Sequence, residues 1–145
     1  MTLTESAHPS PQRRRVGLVS LAIGLTGAPA AWVTQLVVNY GLSSYACYPA
    51  SVPRGHVLPG WENVRIALLI INLLALMLAV GTTFLSYRNW VATRDEHPGA
   101  LDDLVAAGEG RTRFIGLAGA ISGIGFALAI VFDLIAVLGV PQCSG

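Results

Sequence analysis

The stretch Val64–Tyr87 reads VRIALLIINLLALMLAVGTTFLSY, and Arg65 is its only charged residue. At 1.5 Å per residue, a helix of this length spans the roughly 30 Å hydrocarbon core of a bilayer. Two further runs, Val16–Tyr40 and Phe114–Val140, are similarly long and apolar. The three runs lack the polar face that a helix of a soluble protein carries, which disfavours a soluble all-α protein with buried helices. The sequence therefore predicts an all-α membrane protein with three transmembrane helices.

The composition agrees with this fold class and sets approximate boundaries. Hydrophobic residues make up 53% of the 145 residues and charged residues only 12%, whereas soluble domains average about 25% charged. The apolar runs predict helices at about residues 16–40, 64–87 and 114–140, in one domain covering 16–145. The polar islands predict a disordered basic N-terminal segment, an outer loop and a cytoplasmic loop, at residues 1–15, 41–63 and 88–113.

The basic residues predict the orientation of the chain. All nine are Arg, and seven of them lie before the first run or between the second and third runs. Arg54 and Arg65 lie near the gap between the first and second runs. Under the positive-inside rule, the N-terminus and the second loop face the cytoplasm, and the C-terminus faces outward. The formal net charge of +1 gives no basis for a nucleic-acid partner, and membrane lipid is the predicted surrounding.

A cleaved signal peptide is the alternative interpretation of the first run. Arg13–Arg15 form a charged leader that contains the Arg pair of a twin-arginine signal, and the Ala-Pro-Ala sequence at 28–30 resembles a cleavage site. The apolar run nevertheless continues through Trp32 to Val38, well beyond a typical signal sequence, which favours a retained helix. The predicted location is the bacterial inner membrane, as a multi-pass protein.

The two cysteines, Cys47 and Cys143, follow the first and third runs. The orientation places both on the outward side, which is oxidising in bacteria, so a structural disulfide is predicted. The chain-entropy model assigns such a long closed loop about 4–5 kcal/mol, less whatever the membrane already restrains. Two alternatives remain: unpaired cysteines, and a thiol pair that binds copper, with His56 nearby, or exchanges with a partner. Metal sites favour more than two sulfur ligands, so no metal site is predicted.

Each run also carries a stripe of small or weakly polar residues. In the first run these residues are spaced by three or four, which places them on one helix face, and they are Ser20, Gly24, Ala28, Ala31, Gln35 and Asn39. Small residues let membrane helices approach closely. Helix packing is therefore predicted at Gly24 and Ala28 of the first helix and at Gly119-x-x-x-Gly123 of the third. The stripes predict a compact bundle, and a glycine face is also suited to a partner protein or to a homo-oligomer.

Polar side chains concentrate in the outward half of the predicted bundle. They are Gln35, Asn39, Arg65, Asn72 and Asp133. Asp133 is an ionisable residue at membrane depth. Burying such a group in the bilayer costs free energy, so it is a functional candidate by default, and Arg65 is the nearby cation. The favoured interpretation is that amide hydrogen bonds and an ion pair fix the helix packing. A small-molecule or proton site and a docking surface for another membrane subunit are the alternatives.

Several motifs that carry chemistry are missing from the sequence. The three runs contain no histidine, which excludes a bis-His haem within the bundle. No Walker loop, G-x-G-x-x-G or C-x-x-C is present. One intramembrane carboxyl group is little for an ion-coupled transporter. The chain is therefore predicted to be a non-enzyme without a cofactor.

The stretch AWVTQLVVNYGLSSYAC at residues 31–47 resembles a pattern in small bacterial membrane proteins of unknown function. Those proteins begin with a Pro-x-Ala-Trp helix, continue with Asn-Tyr-x-Leu and Ala-Cys, and often end in a Pro–Cys tail. The matching residues are Pro29, Ala31, Trp32, Asn39, Tyr40, Leu42, Ala46, Cys47 and Cys143. Gln142 between Pro141 and Cys143 departs from the pattern. The genes of such proteins often lie beside those of haem-copper cytochrome c oxidase and its assembly factors.

The resemblance implies an accessory subunit or assembly factor of a respiratory complex, with terminal-oxidase subunits as partners. The leading expectation is therefore a non-catalytic membrane protein of this kind. Two alternatives from other classes stay open. One is a thiol-active copper metallochaperone that uses Cys47, Cys143 and His56, and the other is a small transporter or channel component centred on Asp133.

Overall fold

The computed structural model describes residues 16–52, 55–94, 111–141 and 143. Within these ranges the chain forms a short 3₁₀ turn, Pro49–Ser51, and three α-helices: α1 Leu18–Cys47, α2 Val64–Ala92 and α3 Arg111–Gly139. All three α-helices are long and apolar enough to cross a membrane, which confirms the predicted fold class. The orientation of the termini stays a prediction from the distribution of Arg. The segment predicted to be disordered, residues 1–15, lies outside the described residues.

The helices extend beyond the predicted boundaries. Helix α1 continues from residue 40 to Cys47, α2 continues from residue 87 to Ala92, and α3 begins at Arg111 rather than at residue 114. The predicted loops at 41–63 and 88–113 are therefore shorter than expected. With 29 residues, α2 is about 43 Å long at 1.5 Å per residue. This length matches the roughly 40–45 Å bilayer thickness including the headgroups, so the helix ends extend into the interface.

The three helices pack around a core made mostly of small side chains. At its centre lies a buried cluster of Ala28, Ala75, Ala79 and Ile130, which come from all three helices. Two large rings, Trp32 and Phe126, pack against this cluster with their centroids 5.3 Å apart. Because alanine occupies most of the contact positions, the helix axes approach closely and dispersion contacts hold the bundle together.

Large apolar side chains cover the outer surface. Val33, Leu78, Ile124 and Phe132 are among many that are exposed, which suits a lipid environment and would be unfavourable in water. Aromatic residues lie toward both ends of the helices, and they include Tyr45 and Trp61 at one end and Tyr87 and Trp90 at the other. Such rings are typical of the two membrane–water interfaces.

Candidate functional site

One polar side chain from each helix meets in the interior. The amide nitrogen Nε2 of Gln35 donates hydrogen bonds to Oδ1 of Asn72 at 2.8 Å and to Oδ2 of Asp133 at 3.3 Å. Asn72 in turn donates from Nδ2 to the carbonyl of Leu68 at 2.7 Å. Gln35 therefore connects α1 to both α2 and α3 through a single nitrogen atom. We call Gln35, Asn72 and Asp133 the interior triad.

Two members of the triad are deeply buried, and Asp133 is partly buried. Gln35 is 2% exposed and Asn72 is fully buried. Hydrogen bonds between membrane helices contribute on average about 0.6 kcal/mol and at most about 1.7 kcal/mol each. The oxygen Oε1 of Gln35 is buried and has no hydrogen-bond partner. The triad therefore fixes the relative rotation of the helices and also leaves one strong acceptor unused.

The other two residues of the predicted outward polar cluster do not join the triad by hydrogen bonds. Asn39 lies one turn further along α1 than Gln35, and its buried Oδ1 has no partner. Arg65 donates from Nη2 to the backbone carbonyl of Leu138. The predicted ion pair between Arg65 and Asp133 is therefore not formed. The physical reason is that the last carbonyls of α3 lack intrahelical partners and carry the negative end of the helix dipole, so they attract the cation.

The predicted disulfide is confirmed: Cys47 is bonded to Cys143. It joins the last residue of α1 to the tail that follows α3. Next to it, Ala46 and Val64 are buried together, and the N–H of Leu58 donates to the carbonyl of Ala46 at 3.1 Å. The disulfide therefore lies in a packed cap at one end of the bundle, which we call the disulfide end.

In the loop of this cap, backbone hydrogen bonds stabilise the charged form of Glu62. The backbone N–H of Gly60, and then that of Glu62 itself, hold the pKa of the Glu62 carboxyl below its ordinary value. The hydrogen bond from Gly60 N to Glu62 Oε1 is 3.0 Å long. Because this hydrogen bond favours the charged form of the carboxyl group, it is stronger at neutral pH than in acid, where the group is protonated.

Sequence reasoning missed a second polar contact, which lies toward the opposite end. The Asn89 amide nitrogen Nδ2 donates to the Ser20 hydroxyl at 3.1 Å and to the Ser20 carbonyl at 3.3 Å. Thr93 lies fully buried one turn further along and donates to the carbonyl of Asn89. Asn89 and Thr93 were placed in a loop because α2 was predicted to end at residue 87. The signal was present, since Asn89 and Thr93 continue the helical spacing of Ser86 by three and four.

The predicted packing residues lie at helix–helix contacts. A Cβ added to Gly119 would lie 2.5 Å from the Ser86 hydroxyl and 3.2 Å from the Gly24 carbonyl, so three helices meet at this glycine. Gly24 also faces Ser86, and a Cβ on Gly123 would lie 3.0 Å from the Cβ of Thr83. Ala28 is fully buried. These contacts leave no room for larger side chains.

Grooves open on the surface between the described helices, and two of them bear on function. One lies between α1 and α2 and has a volume of about 430 Å³. The other lies between α2 and α3 and has a volume of about 490 Å³. The walls of both grooves are mainly aliphatic, and Gln35 of the interior triad lines the groove between α1 and α2. The chemistry available there is hydrogen bonding and apolar packing.

Metal ligation finds little support in the part of the chain that the structure describes. Within it, no three His, Cys, Asp or Glu side chains are grouped so that they could hold a metal ion. His56 is exposed, and the sulfur atoms of Cys47 and Cys143 are already bonded to each other. The metallochaperone alternative needs free thiolates, and this disulfide leaves none at those two positions.

Comparisons with protein-family models, with curated proteins and with solved structures give no match.

Substitution of Gln35 should show how much the interior triad contributes to stability. Gln35→Leu removes the bonds to Asn72 and Asp133 and leaves their oxygens without this donor. We expect the free energy of unfolding to fall by about 1–2 kcal/mol, measured by SDS titration in mixed micelles with Trp fluorescence. Thr26→Val is the control, because the Thr26 hydroxyl bonds only to the carbonyl of Ala22 in its own helix. Equal stability of the two variants would contradict a stabilising triad.

Proposed function

We propose that this chain is a non-catalytic membrane subunit that packs against the transmembrane helices of a larger respiratory complex. The observation that carries the proposal is that the polar groups within the membrane bond to one another inside this chain. Gln35, Asn72 and Asp133 bond to one another, and Ser20 bonds to Asn89. These bonds hold the three helices of the chain together, while its lipid-facing side offers apolar grooves for contact.

The identity of the complex is the finer part of the proposal. We infer a haem-copper terminal oxidase from the resemblance of residues 31–47 and Cys143 to small proteins encoded beside oxidase genes. The bacterial inner membrane and the outward position of the disulfide end belong to the same proposal. The distribution of Arg and the oxidising conditions that a disulfide requires support them.

The two alternatives are less well supported. A thiol-active metallochaperone would first need reduction of the Cys47–Cys143 bond. A transporter or channel component would need Asp133 to bind or release its cargo, yet its carboxyl group accepts a hydrogen bond from Gln35 within the bundle. For this alternative, loss of flux in Asp133→Asn with an intact fold would be the decisive result.

Co-purification tests the proposal. The chain is tagged at its C-terminus, extracted in mild detergent and analysed by mass spectrometry and absorption spectroscopy. We expect oxidase subunits and haem bands at near-equal stoichiometry, and reduced oxidase assembly when the gene is deleted. A different respiratory complex in the sample would overturn the oxidase assignment and leave the subunit role. A colourless sample without other subunits, together with normal oxidase assembly in the deletion strain, would overturn both.

A matched pair of variants makes the same experiment sharper. Ile124 lines the groove between α2 and α3, whereas Ile121 lies on α3 outside it, and both are exposed. If the partner packs in that groove, Ile124→Trp lowers the yield of co-purified subunits and Ile121→Trp does not. An equal yield from both variants would place the contact on another face of the bundle.

A further inference from the structure

The groove between α1 and α2 has one wall made of small side chains. On α1 this wall contains Gly27, Ala30, Ala31 and Thr34, followed by Gln35 and Val38. From residue 27 to residue 38 the wall extends for three turns, about 16 Å at 1.5 Å per residue. A groove of this length with a low wall accommodates the face of another helix.

The spacing of these residues produces two overlapping small-x-x-x-small pairs. The pair Gly27–Ala31 is partly used within the chain, because a Cβ on Gly27 would lie 2.9 Å from the Cβ of Thr82. The pair Ala30–Thr34 is exposed. In membranes, pairs of this kind let two helix backbones approach closely. The Ala30–Thr34 pair is therefore free for a contact outside the bundle.

Two adjacent residues, Thr34 and Gln35, provide hydrogen-bonding groups in the groove. Gln35 is 2% exposed and lines the groove, and its Oε1 has no partner because both of its hydrogen bonds to the interior leave from Nε2. The hydroxyl of Thr34, on the same wall, makes no hydrogen bond with any described residue. One residue therefore supplies a free acceptor and its neighbour supplies a free donor.

The depth of these two groups limits what can bind them. Gln35 lies 12 residues before the end of α1 at Cys47 and 17 after its start at Leu18. At 1.5 Å per residue these separations are about 18 and 25 Å. Phospholipid headgroups remain at the interface, so a hydrogen-bonding partner at this depth must come from within the membrane. Side chains of another transmembrane helix meet this requirement.

We propose that the groove binds α1 of a second copy of this chain in a two-fold symmetric dimer. Copies inserted in the same orientation are related by an axis along the membrane normal, which keeps each residue at its own depth. Thr34 of one copy therefore lies level with Gln35 of the other. The hydroxyl of each Thr34 can donate to Oε1 of Gln35 in the other copy, which gives two equivalent hydrogen bonds. An isologous interface needs such a self-complementary patch. An unrelated helix would have to supply a matching donor and acceptor independently.

Cysteine cross-linking tests this dimer in membranes, with the native disulfide kept in place. Ala30→Cys and Thr34→Cys put thiols on the groove, whereas Phe132→Cys puts one on the exposed surface of α3, next to the Asp133 that contacts Gln35. We expect oxidation to link the first two variants into dimers at least tenfold faster than Phe132→Cys. Equal rates at the three positions, no dimer at 30 and 34, or capture of a different protein there would overturn the proposal.

Dimer affinity tests the hydrogen bonds separately. Energy transfer between labelled copies in liposomes is expected to show a threefold to tenfold loss of affinity for Thr34→Val, from two lost bonds of ordinary intramembrane strength. Thr34→Ser keeps the hydroxyl and should retain most of the affinity, and Thr26→Val should have no effect. A Thr34→Val protein that dimerises as the unmodified chain does would remove Gln35 and Thr34 from the interface. This dimer does not depend on the proposed oxidase partner, since co-purification can fail while cross-linking succeeds.

Discussion

Replacement of both Cys47 and Cys143 by serine is expected to lower the free energy of unfolding by about 2–4 kcal/mol. The bond spans a sequence separation of 96 residues, so its loss frees the tail after α3 from the end of α1. The full chain-entropy value of about 4–5 kcal/mol is an upper bound, because membrane insertion already restricts the unfolded chain. The measurement is SDS titration of the oxidised proteins in mixed micelles, followed by Trp fluorescence.

The double replacement avoids a free thiol, and the reduced form of the unmodified protein provides its control. In the presence of a reductant, the unmodified protein should lose about the same free energy as the variant, and the variant should not respond. The effect should concentrate at the disulfide end, where Ala46, Val64 and Leu68 are buried together. Equal stability of the oxidised protein and the double variant would show that this packing holds the cap without the covalent bond.

The sequence alone predicted the membrane fold and the disulfide because both depend on simple features. Three long apolar runs leave few alternatives to helices across a bilayer. Cys47 and Cys143 were placed on one side by the charge distribution, which is independent of the cysteines themselves. The meeting of Gln35, Asn72 and Asp133 was also predicted, since polar groups at similar depth tend to pair with one another in lipid.

The partner of Arg65 and the ends of the helices depend on tertiary contacts that periodicity does not contain. Arg65 was expected near Asp133, but the uncapped carbonyl of Leu138 binds it instead. Helix α1 was expected to stop near Gly41, yet it continues because Ala46 is buried against Val64 and Leu68 of α2 and Cys47 is bonded to Cys143. In both cases the deciding neighbour comes from a distant part of the sequence.

Gly119→Ile is expected to lower the free energy of unfolding by about 3 kcal/mol, the upper part of the usual range for overpacking. Even the first added carbon would meet the Ser86 hydroxyl at 2.5 Å and the Gly24 carbonyl at 3.2 Å. The hydroxyl is able to rotate away, but the carbonyl belongs to the backbone of α1. The helices must therefore separate at the point where all three meet. SDS titration in mixed micelles measures the effect.

Gly125→Ile is the matched control for this prediction. Gly125 is on the same helix, is exposed and has no atom within 4 Å of an added Cβ. Both substitutions gain the same intrinsic helix propensity over glycine, so Gly125→Ile should be neutral or slightly stabilising. The difference between the two variants isolates the cost of forcing the helices apart. Equal effects would show that close approach at Gly119 does not hold the bundle together.

A double-mutant cycle then separates the loss in free energy of unfolding caused by Gly119→Ala into the contributions of the Ser86 hydroxyl and the Gly24 carbonyl. In a Ser86→Ala background the hydroxyl at 2.5 Å is absent, so Gly119→Ala should be less destabilising by about 1 kcal/mol. The remaining cost should come from the Gly24 carbonyl, which no side-chain substitution removes. If Ser86→Ala eliminates the whole cost, the contact is a local fit between α2 and α3, and α1 is held by its polar bonds at Gln35 and Ser20.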